Sequence, residues 1–299
     1  MAVHQGWLPE APGLARVQGT GAPRWALWAE GRLVAVELSL DQLLGQPLET
    51  IRERLRDPEG PQLDPDELDL LAPVENQEVW AAGVTYQRSR EARMEEAAQK
   101  DIYALVYTAE RPELFFKSAG WRVVPPGGEA GIRRDSAWDV PEPELAVLCN
   151  FQGELVGFSC GNDMSSRSIE GENPLYLPQA KVYDRSCSLG PALIPAWEVD
   201  PSGAEIRMGI IRGGLEVFRG SASLEELVRE PAALCRVLLS SYPMPAGAWL
   251  LTGTSIVPPP SYSAEEGDVV SISIDGLGTL QNRLLRVPHT GATAPPLIP

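Results

Sequence analysis

Apolar residues along this chain fall in short runs broken by glycine, proline and acidic residues, a pattern that predicts many short strands and few long helices. Trp25-Ala-Leu-Trp28 and Arg32-Leu-Val-Ala-Val-Glu-Leu38, split by Gly31, predict a small β-meander. Ser39-Leu-Asp-Gln42 then has the form of a capping box. Leu40, Leu43, Leu44, Leu48, Ile51 and Leu55 follow at helical spacing until Pro58, and Pro47 divides that helix in two. Residues 57–73, rich in Asp, Pro and Glu, read as a linker. The expected organisation is a small amino-terminal domain over residues 1–72, a larger domain over 73–290 and a tail over 291–299.

Past the linker, Glu78-Val-Trp-Ala-Ala-Gly83 predicts a buried strand, and Ser89 a cap for a solvated helix to about Lys100. Leu114–Lys117, Leu145–Cys149, Leu155–Phe158, Ile206–Ile211 and Val269–Ile274 read as further strands, and the Pro-, Thr- and Ala-rich tail from His289 as frayed. The fold class expected is a β-rich α+β protein. Glycine and proline, 28 of each in 299 residues, reinforce that reading, because turns between short strands consume both.

Composition removes several function classes. Hydrophobic residues at 43% and charged residues at 22% are ordinary for a folded globular chain. A formal charge of -16 disfavours phosphate backbones and anionic membrane surfaces, so no nucleic-acid or membrane partner is expected. No apolar run reaches the roughly 18 residues of a membrane helix and no secretory layout opens the chain, which is read as cytoplasmic. Cys149, Cys160, Cys187 and Cys235 form no CxxC pair and read as small buried hydrophobes. The two histidines, His4 and His289, lie near the ends, which disfavours a histidine-rich zinc site or a Ser-His-Asp triad.

The chemistry concentrates around Pro141-Glu142-Pro-Glu144-Leu-Ala-Val-Leu148. In an extended strand Glu142 and Glu144 project on one face, and a turn at Gln152-Gly153 can bring Asp163 back beside them. Two readings fit that spacing: a carboxylate site for Mg²⁺ or Mn²⁺, or a solvent-exposed acidic edge. Lys181, among apolar and small residues, is a candidate base if a metal lies beside it and a surface lysine otherwise. Glu113, opening an apolar strand, is a candidate acid or a strand-edge charge. Thr252-Gly253-Thr254-Ser255 offers donors for a substrate carboxylate, a weak signal by itself.

Eight segments, in order from about residue 75 to 288, resemble the fumarylacetoacetate hydrolase family. They are Trp80–Tyr86, Pro112–Lys117, Glu142–Val147, Gly161–Ser165, Lys181–Asp184, Leu189–Pro191, Thr252–Thr254 and Glu266–Val270. The resemblance implies a mixed β-sandwich roll around Mg²⁺ or Mn²⁺, commonly a homodimer or a larger assembly such as a homotetramer. It also implies Glu142, Glu144 and Asp163 as the metal ligands. Hydrolytic members carry Asn-Tyr-x-x-His after the first strand, whereas this chain has Thr85-Tyr86-Gln-Arg-Ser89, with serine at the histidine position. That departure speaks against water activation by imidazole.

The stretches Gly83–Glu91 and Ser165–Pro178 instead resemble the branch of the family that dehydrates 2-keto-3-deoxy sugar acids, a pentonate giving 2,5-dioxopentanoate. By that resemblance Lys181 and Glu113 transfer protons, while Thr254, Thr85, Ser165 and Arg167 orient the carboxylate and hydroxyls of a 2-oxo acid. Two alternatives stand beside it. One is hydrolysis, decarboxylation or isomerisation of an acylpyruvate or related 2-oxo acid; the other is a catalytically silent binding protein, against which all five reactive residues argue.

Overall fold

The computed structural model describes residues 5–56, 60–83, 85 and 109–288. The helix expected after Ser89, Ser89 itself, both histidines and the tail lie outside the described residues. Strands β1 (Gly13–Gln18), β2 (Arg24–Ala29) and β3 (Arg32–Val36) form the expected meander. Helices α1 (Leu40–Leu44) and α2 (Leu48–Leu55) follow, with the Ser39 hydroxyl accepting from Gln42 N and Pro47 dividing them. The described part of the predicted linker is not open chain. It carries β4 (Gln62–Leu63) and β5 (Asp69–Leu71), which pair with β3 and β1, because Leu70 finds a buried place there.

Next come β6 (Glu78–Gly83), β7 (Glu113–Ala119), β8 (Glu129–Arg133) and β9 (Asp139–Val140). The hairpin β10 (Pro143–Cys149) and β11 (Leu155–Asp163) turns at Gly153, whose φ of +76° suits glycine. β12 (Ser165–Ser166), α3 (Arg167–Glu172) and α4 (Leu177–Lys181) lead into β13 (Cys187–Pro195), β14 (Glu205–Arg212) and β15 (Leu215–Ser223). Helix α5 (Pro231–Leu239), β16 (Ala248–Leu251), β17 (Val269–Ile274) and β18 (Gly278–Val287) complete the described chain.

The long sheet runs β4-β3-β2-β1-β13-β11-β10-β16-β6-β7, and a second sheet runs β15-β14-β17-β18-β8. β1 pairs with β13, so the amino-terminal meander and the carboxy-terminal half share one sheet. Its central strands are buried on both faces, which is why β10 and β13 read as continuous apolar runs rather than alternating ones. One face, with Leu145, Val147 and Ile194, packs against Ile206, Met208, Ile210, Val270 and Ile272 of the second sheet. The other, with Ala146, Leu148 and Leu193, packs against Leu40, Leu43, Leu44 and Ile51 of the first two helices. This is the mixed, strand-rich roll expected from the sequence. The four cysteines are buried and free, as expected.

Candidate active site

The order and directions of five neighbouring strands gather the reactive residues at one edge of the long sheet. β11 ends at Asp163 beside the start of β10, and Asp163 N donates to Glu142 O at 3.0 Å. β16 is antiparallel to β10 and parallel to β6, so Thr252-Gly253 and Gly83 emerge at that same edge. β7 begins there too, with Glu113 opposite Gly83. The Glu113 carboxylate lies over the Gly83 backbone, where a Cβ would stand 2.0 Å from Oε2, so a side chain there would displace the carboxylate. Thr85 lies over Gly253 in the same way, and its hydroxyl donates to Thr252 O at 2.5 Å.

Glu142, Glu144 and Asp163 are all buried, with one carboxylate oxygen from each lying within 4.8 Å of the other two. The exposed acidic edge, one of the two readings open from spacing, is therefore set aside: the glutamates are 2% exposed. Burial comes first, then repulsion from Asp163 and Glu142, in pushing the Glu144 carboxyl well above its ordinary range, although Gly253 N–H donates to Glu144 Oε2 at 2.6 Å. Such crowding of hard oxygen donors, without sulfur or imidazole among them, fits a hard divalent cation, which would relieve the repulsion.

Lys181, the last residue of α4, is not a surface lysine; it is 1% exposed. Its ammonium donates to Glu142 Oε2 at 2.7 Å, Asp163 Oδ2 at 3.0 Å and Ser165 Oγ at 2.6 Å. Ser165 is thus fixed on the lysine and on Asp163 O. Ser166 caps α3 through Ile169 N, which sets Arg167 at the first helical turn with its guanidinium 2.9 Å from Glu142 Oε1 and 3.7 Å from Glu170. The Thr254 hydroxyl accepts from Ile256 N at 3.2 Å and is buried.

Two features escaped the sequence reading. Lys117, quoted there only as the end of a strand, places its ammonium 2.5 Å from Asp163 Oδ1. No spacing marked it, because a bulge in the strand sets its direction. Glu170, three residues from Arg167 on a helix, was signalled by that interval alone. Phe115, between Glu113 and Lys117, sets its ring 5.8 Å from the Lys181 ammonium.

Behind the site, Asp139 in β9 is 1% exposed and its pKa is pushed up to about 6, burial outweighing the hydrogen bond from Ser136. Burial and then the charge of Asp139 likewise raise the Tyr183 phenol.

The family model for the fumarylacetoacetate (FAA) hydrolase C-terminal domain matches residues 80–285. Among curated relatives, the chain is 50% identical over 216 residues to a probable 2-keto-3-deoxyxylonate dehydratase of Haloferax volcanii, covering 72% of this chain and 74% of that one. It is 38% identical over 220 residues to the 2-dehydro-3-deoxy-D-arabinonate dehydratase of Saccharolobus solfataricus, with the same coverages. Among solved structures it is similar to a 2-keto-3-deoxy-D-arabinonate dehydratase complexed with magnesium and 2,5-dioxopentanoate. That match has a TM-score of 0.82 and 30% identity, and covers 91% of this chain and 98% of that one.

Proposed function

Because this chain belongs to the fumarylacetoacetate hydrolase family, we propose that it is a Mg²⁺-dependent dehydratase of a 2-keto-3-deoxy sugar acid, such as 2-keto-3-deoxy-D-arabinonate to 2,5-dioxopentanoate. One observation carries the reading: a buried lysine amine bonded to two of three clustered carboxylates, at the sheet edge where Glu113 also lies. Glu142, Glu144 and Asp163 hold Mg²⁺, or Mn²⁺, in this reading. Bound there, the cation polarises the ketone of a 2-oxo acid and makes its C3 protons acidic.

The chain's own residues do the rest. The Lys181 ammonium would compete with a divalent cation for Glu142 and Asp163, which favours its loss of a proton to solvent, and the neutral Nζ then takes a proton from C3. Glu113, protonated at its carboxyl, gives a proton to the C4 hydroxyl, which leaves as water. The unsaturated keto acid that remains tautomerises to the dioxo acid. Ser165 holds the Lys181 amine in place, and Arg167, Thr85 and Thr254 shape the surroundings of the carboxylate and hydroxyls.

Residues 73–290 carry this chemistry and residues 1–72 support it, in an enzyme that works in the cytoplasm as a homodimer or homotetramer. No helix among the described residues is long and apolar enough to cross a membrane. Mass spectrometry of the purified protein with Mg²⁺ and a panel of 2-keto-3-deoxy-pentonates, 2-keto-3-deoxy-hexonates and acylpyruvates tests the reading. Loss of one water from a keto-deoxy acid, abolished by chelator, is the expected result; cleavage of an acylpyruvate into two acids, with no dehydration, would overturn it.

A further inference from the structure

We infer that Lys117 is the positioning residue of this site, the fixed cation that aims Asp163 and anchors Lys181 without itself moving a proton. β7 carries it past a bulge: pairing with β6 steps from Val79↔Ser118 to Trp80↔Phe116, leaving Lys117 as the extra residue. Its side chain is completely buried. The ammonium donates to two main-chain carbonyls, Met164 O at 2.9 Å and Lys181 O at 2.5 Å, and its charge pairs with Asp163 Oδ1 at 2.5 Å. The Tyr183 ring, 5.7 Å away, covers one side of it.

The two lysines divide the two oxygens of Asp163, Lys117 holding Oδ1 and Lys181 holding Oδ2. Their other acceptors differ in kind. Lys181 donates to a glutamate of the acidic cluster and to a hydroxyl, groups that a cation and a substrate can recruit. Lys117 donates to two main-chain carbonyls, which stay where the fold puts them. One of those carbonyls belongs to Lys181 itself and also accepts from Ser186, so Lys117 ties the root of the proposed base to its proposed metal ligand. Partners of this kind, one step behind a ligand, set its orientation, and their loss commonly costs roughly 10- to 100-fold in metal affinity or activity.

The inference rests on the reading of Lys181 as base and Asp163 as ligand, and its test separates the two. Lys117→Met keeps the length and removes the charge; Lys117→Gln, which keeps one donor towards Asp163, is made beside it in case the apolar variant does not fold. Mn²⁺ binding is measured by the electron paramagnetic resonance of the free ion, and kcat and KM with Mg²⁺ and 2-keto-3-deoxy-arabinonate. Both variants are expected to bind Mn²⁺ about tenfold or more weakly. At saturating metal kcat should fall while KM stays near that of the unmutated protein. In an Asp163→Asn background, Lys117→Gln should change Mn²⁺ binding little further, since its effect passes through that carboxylate. Unchanged Mn²⁺ affinity in a folded variant, or a full additive loss in the Asp163→Asn background, would overturn the inference. Failure of the unmutated protein to dehydrate any keto-deoxy acid would overturn the functional reading alone, because the Mn²⁺ measurements need no turnover.

Discussion

Lys181→Met removes one charge from the centre of the site with little change in volume, so it isolates the electrostatic part of the account. The lost ammonium makes three bonds, at 2.6, 2.7 and 3.0 Å, two of them to carboxylates that are themselves buried. Breaking a buried pair from one side leaves its partner uncompensated and costs about 3–5 kcal/mol. At roughly 2 °C per kcal/mol for a chain of this size, the melting midpoint in chelator should drop by about 6–10 °C. Mg²⁺ supplies positive charge to the same carboxylates, so much of the loss should return when it is added. Turnover should not return, because the base is gone; a general base contributes roughly 10²–10⁴-fold. Calorimetry with chelator and with Mg²⁺, beside the mass-spectrometric assay, reads both effects. An unchanged midpoint in chelator would refute the electrostatics, and turnover near that of the unmutated protein would refute the assignment of Lys181 as base.

Glu144→Gln should leave the midpoint in chelator equal or higher, since it removes repulsion from Glu142 and Asp163 while the side chain can still accept from Gly253 N–H; the rise in midpoint on adding Mg²⁺ should largely vanish, as calorimetry would show. Asp139 predicts a pH effect on stability. Its carboxyl binds a proton more tightly when folded, about 6 against 3.8 for the ordinary group, so its contribution is fully present below about pH 4 and is lost as pH rises through about 6. The ionised group then costs about 3 kcal/mol, at 1.36 kcal/mol per tenfold change in the proton equilibrium. Asp139→Asn should therefore gain stability relative to the unmutated protein between pH 4 and 7, in denaturant titrations at several pH values, and a difference independent of pH would contradict the burial argument.

The sequence disclosed those parts of the site that local spacing controls. Glu142 and Glu144 flank one proline at the start of a strand, and the turn at Gly153 returns Asp163 to them, so the acidic cluster was legible from a hairpin. Pro47 and the Ser39 cap likewise marked the first two helices. What spacing could not show was burial: whether the acidic cluster faced water, and whether Lys181 did, depended on strands far apart in the chain closing over them. Lys117 was hidden for the same reason. Its partners lie 46 to 64 residues away, and a bulge with no sequence mark aims it. The acidic stretch at 60–73 misled because polar composition resembles a linker even where Leu70 and its neighbours add a strand to a sheet.

The central claim, that Lys181 takes the C3 proton and Glu113 releases the C4 hydroxyl, is tested most directly by following the C3 protons of a 2-keto-3-deoxy acid by NMR in D₂O with Mg²⁺. Glu113→Gln is expected to exchange those protons for deuterium while losing no water, and Lys181→Met to do neither. Dehydration at the unmutated rate by Glu113→Gln, or exchange at the unmutated rate by Lys181→Met, would contradict the account.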